Sequence, residues 1–175
     1  MNLKSNFFEL PIPTRDGQFT ARYSEKGLAG LNFPNGRAEL PLGQAAQQHR
    51  PTKWDGVPAN IRAWHHMTGT ALKTILAGHK PKKLPPLDLA GTEFQKSVWN
   101  ALRKISFGKT KSYGEIAAAI GRPKSVRAVG GACGANPVPV LVPCHRVLAA
   151  NKKLGGFSGG LNRKRELLKR EGVVF

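Results

Sequence analysis

The chain has 175 residues, enough for one large domain or two small ones with a real core, and its 40% hydrophobic content is that of an ordinary globular protein. No apolar run reaches bilayer-spanning length, and Met1 to Pro13 lacks the basic start and continuous apolar stretch of a secretory signal. Lys and Arg number 28 against 10 acidic residues, a net charge of +18, which favours a polyanionic partner, nucleic acid first.

The charge is uneven: residues 1–88 hold 12 basic and 6 acidic side chains (net +6), and residues 89–175 hold 16 and 4 (net +12). Two cysteines without an export signal predict free thiols in a reducing compartment, the cytoplasm or, in a eukaryote, the nucleus.

Phe7–Pro11, Phe19–Tyr23 and Leu28–Phe33 read as a meander of short strands, with turns at Arg15-Asp16-Gly17 and Pro34-Asn35-Gly36. From Asn60 to Leu76 the apolar stripe Ile61, Trp64, Thr68, Ala71, Leu72, Ile75 predicts a helix closed by Gly78. His65-His66 on that helix diverge too far to share a metal and read as a solvated surface pair, so no metal is expected. Lys80 to Pro86 cannot continue a helix and predicts an extended linker, about 79–88, between domains 1–88 and 89–175.

Thr92-Glu93-Phe94-Gln95 is a capping box, opening a helix with Phe94, Val98, Ala101, Leu102 and Ile105 on one face. Ser112-Tyr113-Gly114-Glu115 is a second box, opening a short helix that stops at Gly121. After the turn Arg122-Pro123-Lys124, Ser125 is the expected N-cap of a helix from Val126 to about Ala135, and the two short helices predict a helix-turn-helix. Ala128, Gly130, Gly131 and Ala132 would let the second helix approach a duplex closely, with Arg127 projecting near its start. Small residues equally permit tight helix packing.

Asn136-Pro137 ends that helix, and Val138 to Val142 is β-branched and reads as an irregular or edge strand. Pro143-Cys144-His145-Arg146 follows. A thiolate is the strongest nucleophile among side chains near neutral pH, and His145 and Arg146 are the expected sources of positive charge beside it. Cys133, among Gly and Ala, reads as an inert packed thiol. Arg163-Lys164-Arg165 and Lys169-Arg170 read as solvated, phosphate-facing charges.

Gly91-Thr92-Glu93-Phe94-Gln95, Val98-Trp99, Ser112 to Ala117, Arg127 to Gly130, Asn136-Pro137, Val142 to Val147 and Ser158-Gly159-Gly160 together resemble the O6-alkylguanine-DNA alkyltransferase family. The resemblance is nearly continuous over 89–175 and looser before. It implies an α/β protein with a small N-terminal sheet-plus-helix domain, ribonuclease-H-like, and a helix-turn-helix, winged-helix-like C-terminal domain. It further implies a monomer that needs no cofactor, flips an alkylated guanine out of double-stranded DNA, and moves the alkyl group irreversibly to Cys144.

In that family pattern a water links Cys144 to His145, oriented by Glu171, while Asn136 buttresses the turn that presents the cysteine. Tyr113 assists rotation and binds the base, whose edge Val147 (through its carbonyl) and Ser158 hold; Gly159 keeps the loop close, and Arg127 fills the vacated stack. A carboxylate at Glu171, in the last helical turn, opposes the macrodipole by a few tenths to about 1 kcal/mol, so a partner such as His145 would offset it. Phe157 stands where relatives often carry tyrosine. The alternatives are a non-catalytic binder of alkylated DNA, a helix-turn-helix regulator, or a thiol hydrolase. Cys144 argues against the first, the Cys-His pair against the second, and the lack of an oxyanion motif against the third.

Overall fold

The computed structural model describes residues 7–34, 54 and 56–175. The expected turn residues Asn35 and Gly36 lie outside them. Strands β1 (Phe8–Thr14), β2 (Gly17–Ser24) and β3 (Gly27–Asn32) form an antiparallel sheet in that order. Side chains alternate along β2, with Phe19, Ala21 and Tyr23 buried and Gln18 and Arg22 exposed, as one covered face requires. Pro11 and Pro13 fall on β1, an edge strand where a missing N–H is tolerated.

Helix α1 (Ala59–Leu76) lays Ile61, Thr68, Ala71, Leu72 and Ile75 into the core as its periodicity requires. It ends at Gly78, whose φ of +82° and tight approach to the Arg170 carbonyl leave no room for a Cβ. His65 is not solvated: it is half-buried, 3.3 Å from the Tyr23 hydroxyl and packed on Trp54, and only His66 is exposed. The Pro-rich run is extended as expected, but its end anneals to the sheet: Leu28 donates to the Pro86 carbonyl at 2.8 Å and Asp88 to Leu28 at 2.9 Å.

Helix α2 (Glu93–Arg103) and, after strand β4 (Lys111–Ser112), helix α3 (Tyr113–Ala119) both open on fully formed capping boxes. Trp99 is the largest anchor of α2, 1% exposed, its indole donating to the Ala132 carbonyl at 2.8 Å. Helix α4 (Val126–Gly134) begins at Ser125, which makes no side-chain cap bond because its backbone is not in the extended conformation capping needs.

Val138–Val142 is a tight turn instead of a strand. Val140 takes φ +74°, and Val142 donates back to the Val138 carbonyl at 2.9 Å. Prolines 137, 139 and 143 deny it ladder donors. Cys144–Arg146 forms one 3-10 turn, β5 (Val147–Leu148) pairs in parallel with β4, and α5 (Leu161–Arg170) closes the chain. One hydrophobic cluster runs from Leu10 of the sheet to Leu167 of α5.

Candidate active site

The turn that delivers Cys144 is held by a side chain. Asn136 donates from Nδ2 to the Val142 carbonyl at 2.8 Å and to Cys144 Sγ at 3.1 Å, and its Oδ1 accepts from Val138 N–H at 3.0 Å. Burial raises the Cys144 thiol pKa; the Asn136 amide, the Lys164 ammonium and the local backbone N–H groups pull in the opposite direction.

Behind it, His145 Nε2 lies 2.9 Å from Glu171 Oε1. Arg146 grips the same carboxylate, Nε to Oε2 at 2.9 Å and Nη2 to Oε1 at 3.0 Å, and donates from Nη1 to the Ile105 carbonyl. Gly108 N–H adds a fourth donor at 3.1 Å. Burial alone would raise the Glu171 pKa, but His145 and Arg146 hold it at about 2. An ionised carboxylate only accepts, so Nε2 carries the imidazole proton and Nδ1 keeps its lone pair. Burial lowers the His145 pKa, against the pull of Glu171, so the ring is neutral near pH 7. Nδ1 has no partner among the described residues. The Arg146 charge is thus spent on Glu171 and not offered to Cys144.

The cation whose charge lowers the Cys144 thiol pKa is Lys164, which is fully buried, not solvated. Its Nζ donates to the carbonyls of Val147 at 2.6 Å, Gly156 at 3.2 Å and Leu154. Lys164, Leu167, Leu168 and Glu171 recur at helical spacing along α5, the buried face of an otherwise charged segment. That spacing was the available signal, masked by the basic neighbours.

Burial lowers the Lys164 pKa to about 8 from its ordinary 10.5. Between those values the folded chain has shed a proton the unfolded chain retains, so this group's contribution to stability rises with pH from about 8 to 10.5. The buried thiols, with raised pKa values, oppose it from about 9 upward. The test is therefore a difference: chemical unfolding across that range should have a more positive slope with pH in the parent protein than in Lys164→Met, and equal slopes would contradict the assignment.

Cys144 lies on a cleft of about 130 Å³ shared with Tyr113, Gly130, Cys133, Gly134, Gly156, Phe157 and Ser158. Cys133 therefore faces the reactive thiol instead of merely packing; burial and the neighbouring thiol push its pKa up to about 12. Tyr113, its own pKa raised by burial, donates to the Gly156 carbonyl at 3.5 Å. Arg127, Ala128 and Gly131 are exposed on the outer face of α4, and Val147 is buried behind the cleft, its carbonyl already engaged by Lys164. Gly159 does not line the cleft: a Cβ there would lie 2.7 Å from the Phe33 ring. Phe33, which sequence reasoning placed only in a strand, packs on Phe157 with ring centres 5.6 Å apart.

A helix-turn-helix whose second helix walls a cleft ending on a hydrogen-bonded cysteine, with a His-Glu pair behind, defines a thiol-dependent class of DNA-modifying protein. Residues 93–173 match the family model of the 6-O-methylguanine DNA methyltransferase DNA binding domain. A methylated-DNA–protein-cysteine methyltransferase of Methanosarcina acetivorans is 41% identical over 94% of this chain and 96% of its own length. One from Mycobacterium tuberculosis is 53% identical over 57% of this chain and 61% of its own. The crystal structure of Mycobacterium tuberculosis O6-methylguanine methyltransferase aligns with TM-score 0.70 at 35% identity, over 95% of this chain and 93% of that one. That of Mycobacterium tuberculosis OGT in complex with DNA aligns at 0.67 and 37%, over 92% and 90%. The chain belongs to the methylated-DNA–protein-cysteine methyltransferase family. Among the described residues no helix is long and apolar enough to cross a membrane.

Proposed function

We infer that this chain repairs DNA by direct reversal, with Cys144 taking the alkyl group of O6-alkylguanine, or of O4-alkylthymine, in one irreversible step. The observation that carries the reading is the cleft of about 130 Å³ between the second helix of the helix-turn-helix and the Cys144 sulfur. In the stack a base's O6 is inaccessible, so the damaged nucleotide rotates out into this cleft.

Sγ attacks the alkyl carbon, the S–C bond forms as the C–O6 bond breaks, and the thiol proton ends on the restored guanine. His145 Nδ1, the free acceptor, takes that proton first through a water, and Glu171 stabilises the charge this places on the ring. Glu171 does not itself take the proton, because Arg146 and Gly108 hold it ionised. Tyr113 and Ser158 line the cleft where a base edge would sit, and the Val147 carbonyl has a second lone pair beyond the one Lys164 uses. Arg127 occupies the vacated stack, and Ala128, Gly130 and Gly131 keep α4 narrow against the duplex.

The division into domains 1–88 and 89–175 belongs to the same reading. The β1-β2-β3 meander followed by α1 supports a ribonuclease-H-like first half, and the β4–β5 pair beside α3 supports a winged-helix-like second half. The basic charge and free thiols support a monomer working in the cytoplasm.

Incubation with duplex DNA carrying labelled O6-methylguanine tests the function. Label should move to protein and stop at one equivalent; multiple turnovers would refute the stoichiometric step, and binding without transfer would favour a non-catalytic reader. Arg127→Ala should slow repair in duplex about tenfold or more while sparing reaction with free O6-benzylguanine. Equal losses on both substrates would remove the stacking role.

A further inference from the structure

We propose that Phe33, on the N-terminal sheet, is a positioning residue for alkyl transfer: it sets the loop Gly156–Gly159 against Cys144 and His145. The proposal rests on the function inferred above and adds a residue to it.

Phe33 sits at the end of β3 and meets three separate elements. Its ring packs on Phe19 of the sheet at 5.6 Å and edge-on against Phe157 of the loop at 5.6 Å and 69°. Phe157 in turn meets the His145 ring at 6.4 Å and 80°. The Arg163 guanidinium of α5 lies 4.8 Å over the Phe33 ring and donates to the Gly159 carbonyl at 3.2 Å. Gly159 touches the same ring so closely that a Cβ would come within 2.7 Å of Phe33 and 2.9 Å of Phe157. The small residue is therefore required by the aromatic wedge, not by the cleft.

A rigid ring wedged between a sheet core and a glycine leaves the loop one position. Gly156, Phe157 and Ser158 wall the cleft, so that position sets the wall. Edge-to-face packing adds to the effect of burial and holds the short loop in register. The sheet is tied to the cysteine turn a second time, by Leu31 N–H to the Pro137 carbonyl at 2.8 Å, so removing the wedge loosens the loop without undocking the sheet.

The test is single-turnover transfer from O6-methylguanine duplex as protein concentration is varied, separating limiting rate from apparent affinity. Phe33→Ala should slow the limiting rate about tenfold to a hundredfold, with affinity within about twofold. Phe33→Leu, which keeps apolar volume and is the variant to use if the alanine protein does not fold, should be slowed by less, and Phe33→Tyr should recover most of the rate. Phe33→Ala combined with Phe157→Ala should lose less than the product of the two single losses, because the two side chains share a contact. Multiplicative losses, or a loss confined to affinity, would overturn the proposal.

Amide hydrogen exchange over 156–160 provides a readout independent of activity: it should accelerate in Phe33→Ala, and unchanged exchange would also overturn it. A parent protein that transfers no label would refute the repair reading while leaving the exchange result to decide the wedge.

Discussion

Cys144→Ala is expected to transfer no label from an O6-methylguanine duplex while binding that duplex as the parent does. The sulfur is the only atom removed, and Asn136 keeps its bonds to the Val142 carbonyl and Val138 N–H, so the turn survives. A small buried truncation of this kind costs on the order of 1 kcal/mol, well within the stability of a domain. Cys133 shares the cleft but does not rescue the reaction, because burial raises its thiol pKa and it has no counterpart of the Asn136 amide that donates to the Cys144 sulfur. Mass spectrometry of the incubated variant checks both points. An alkylated peptide containing Cys133 would show that the second thiol is the acceptor, and an alkylated alanine variant of any kind would end the present assignment.

Glu171→Gln should carry the next largest penalty, in rate and in stability together. Four N–H donors converge on the carboxylate, from His145, Gly108 and twice from Arg146. A glutamine offers one oxygen and turns an NH2 toward donors that need acceptors. It also leaves the Arg146 guanidinium, 8% exposed as a residue, without its counter-charge, a loss of about 3–5 kcal/mol for a buried pair broken on one side. The His145 ring loses its orienting acceptor, so transfer should fall by about a hundredfold or more.

The pH dependence is distinct as well. With a folded value of about 2 against an ordinary 4.5, the parent's carboxylate contributes stability above 4.5 that disappears as pH falls toward 2. Acid unfolding of Glu171→Gln should lack that decline, whereas Glu166→Gln, exposed on the same helix, should transfer label at the parent's rate. A Glu171→Gln protein that reacts at the parent's rate would remove the His-Glu pair from the mechanism.

Local chemistry made parts of this molecule legible beforehand. Both capping boxes are formed by residues three positions apart, so Thr92-Gln95 and Ser112-Glu115 declare their helices without tertiary information. The contact of Glu171 with His145 was reachable through the family resemblance, which the unfavourable place of an acid at a helix C-terminus supports. The burial of Lys164 had a signal in its spacing with Leu167 and Leu168, but its partners did not, because they are main-chain carbonyls 8 to 17 residues away and a carbonyl has no residue identity to read. The turn at 138–142 was hidden for a related reason: β-branched residues suggest a strand, while the decisive bonds come from the Asn136 side chain. Phe33 looked like any strand terminus until the loop it wedges was folded against it.

The lysine has one more consequence. Its ammonium ties together the carbonyls of Val147, Leu154 and Gly156, one just after the cysteine turn and the others at the loop that walls the cleft. A single buried charge therefore clamps two separate stretches of chain around the place where an alkylated sulfur has to be housed, and any group too large for the cleft pushes against that clamp.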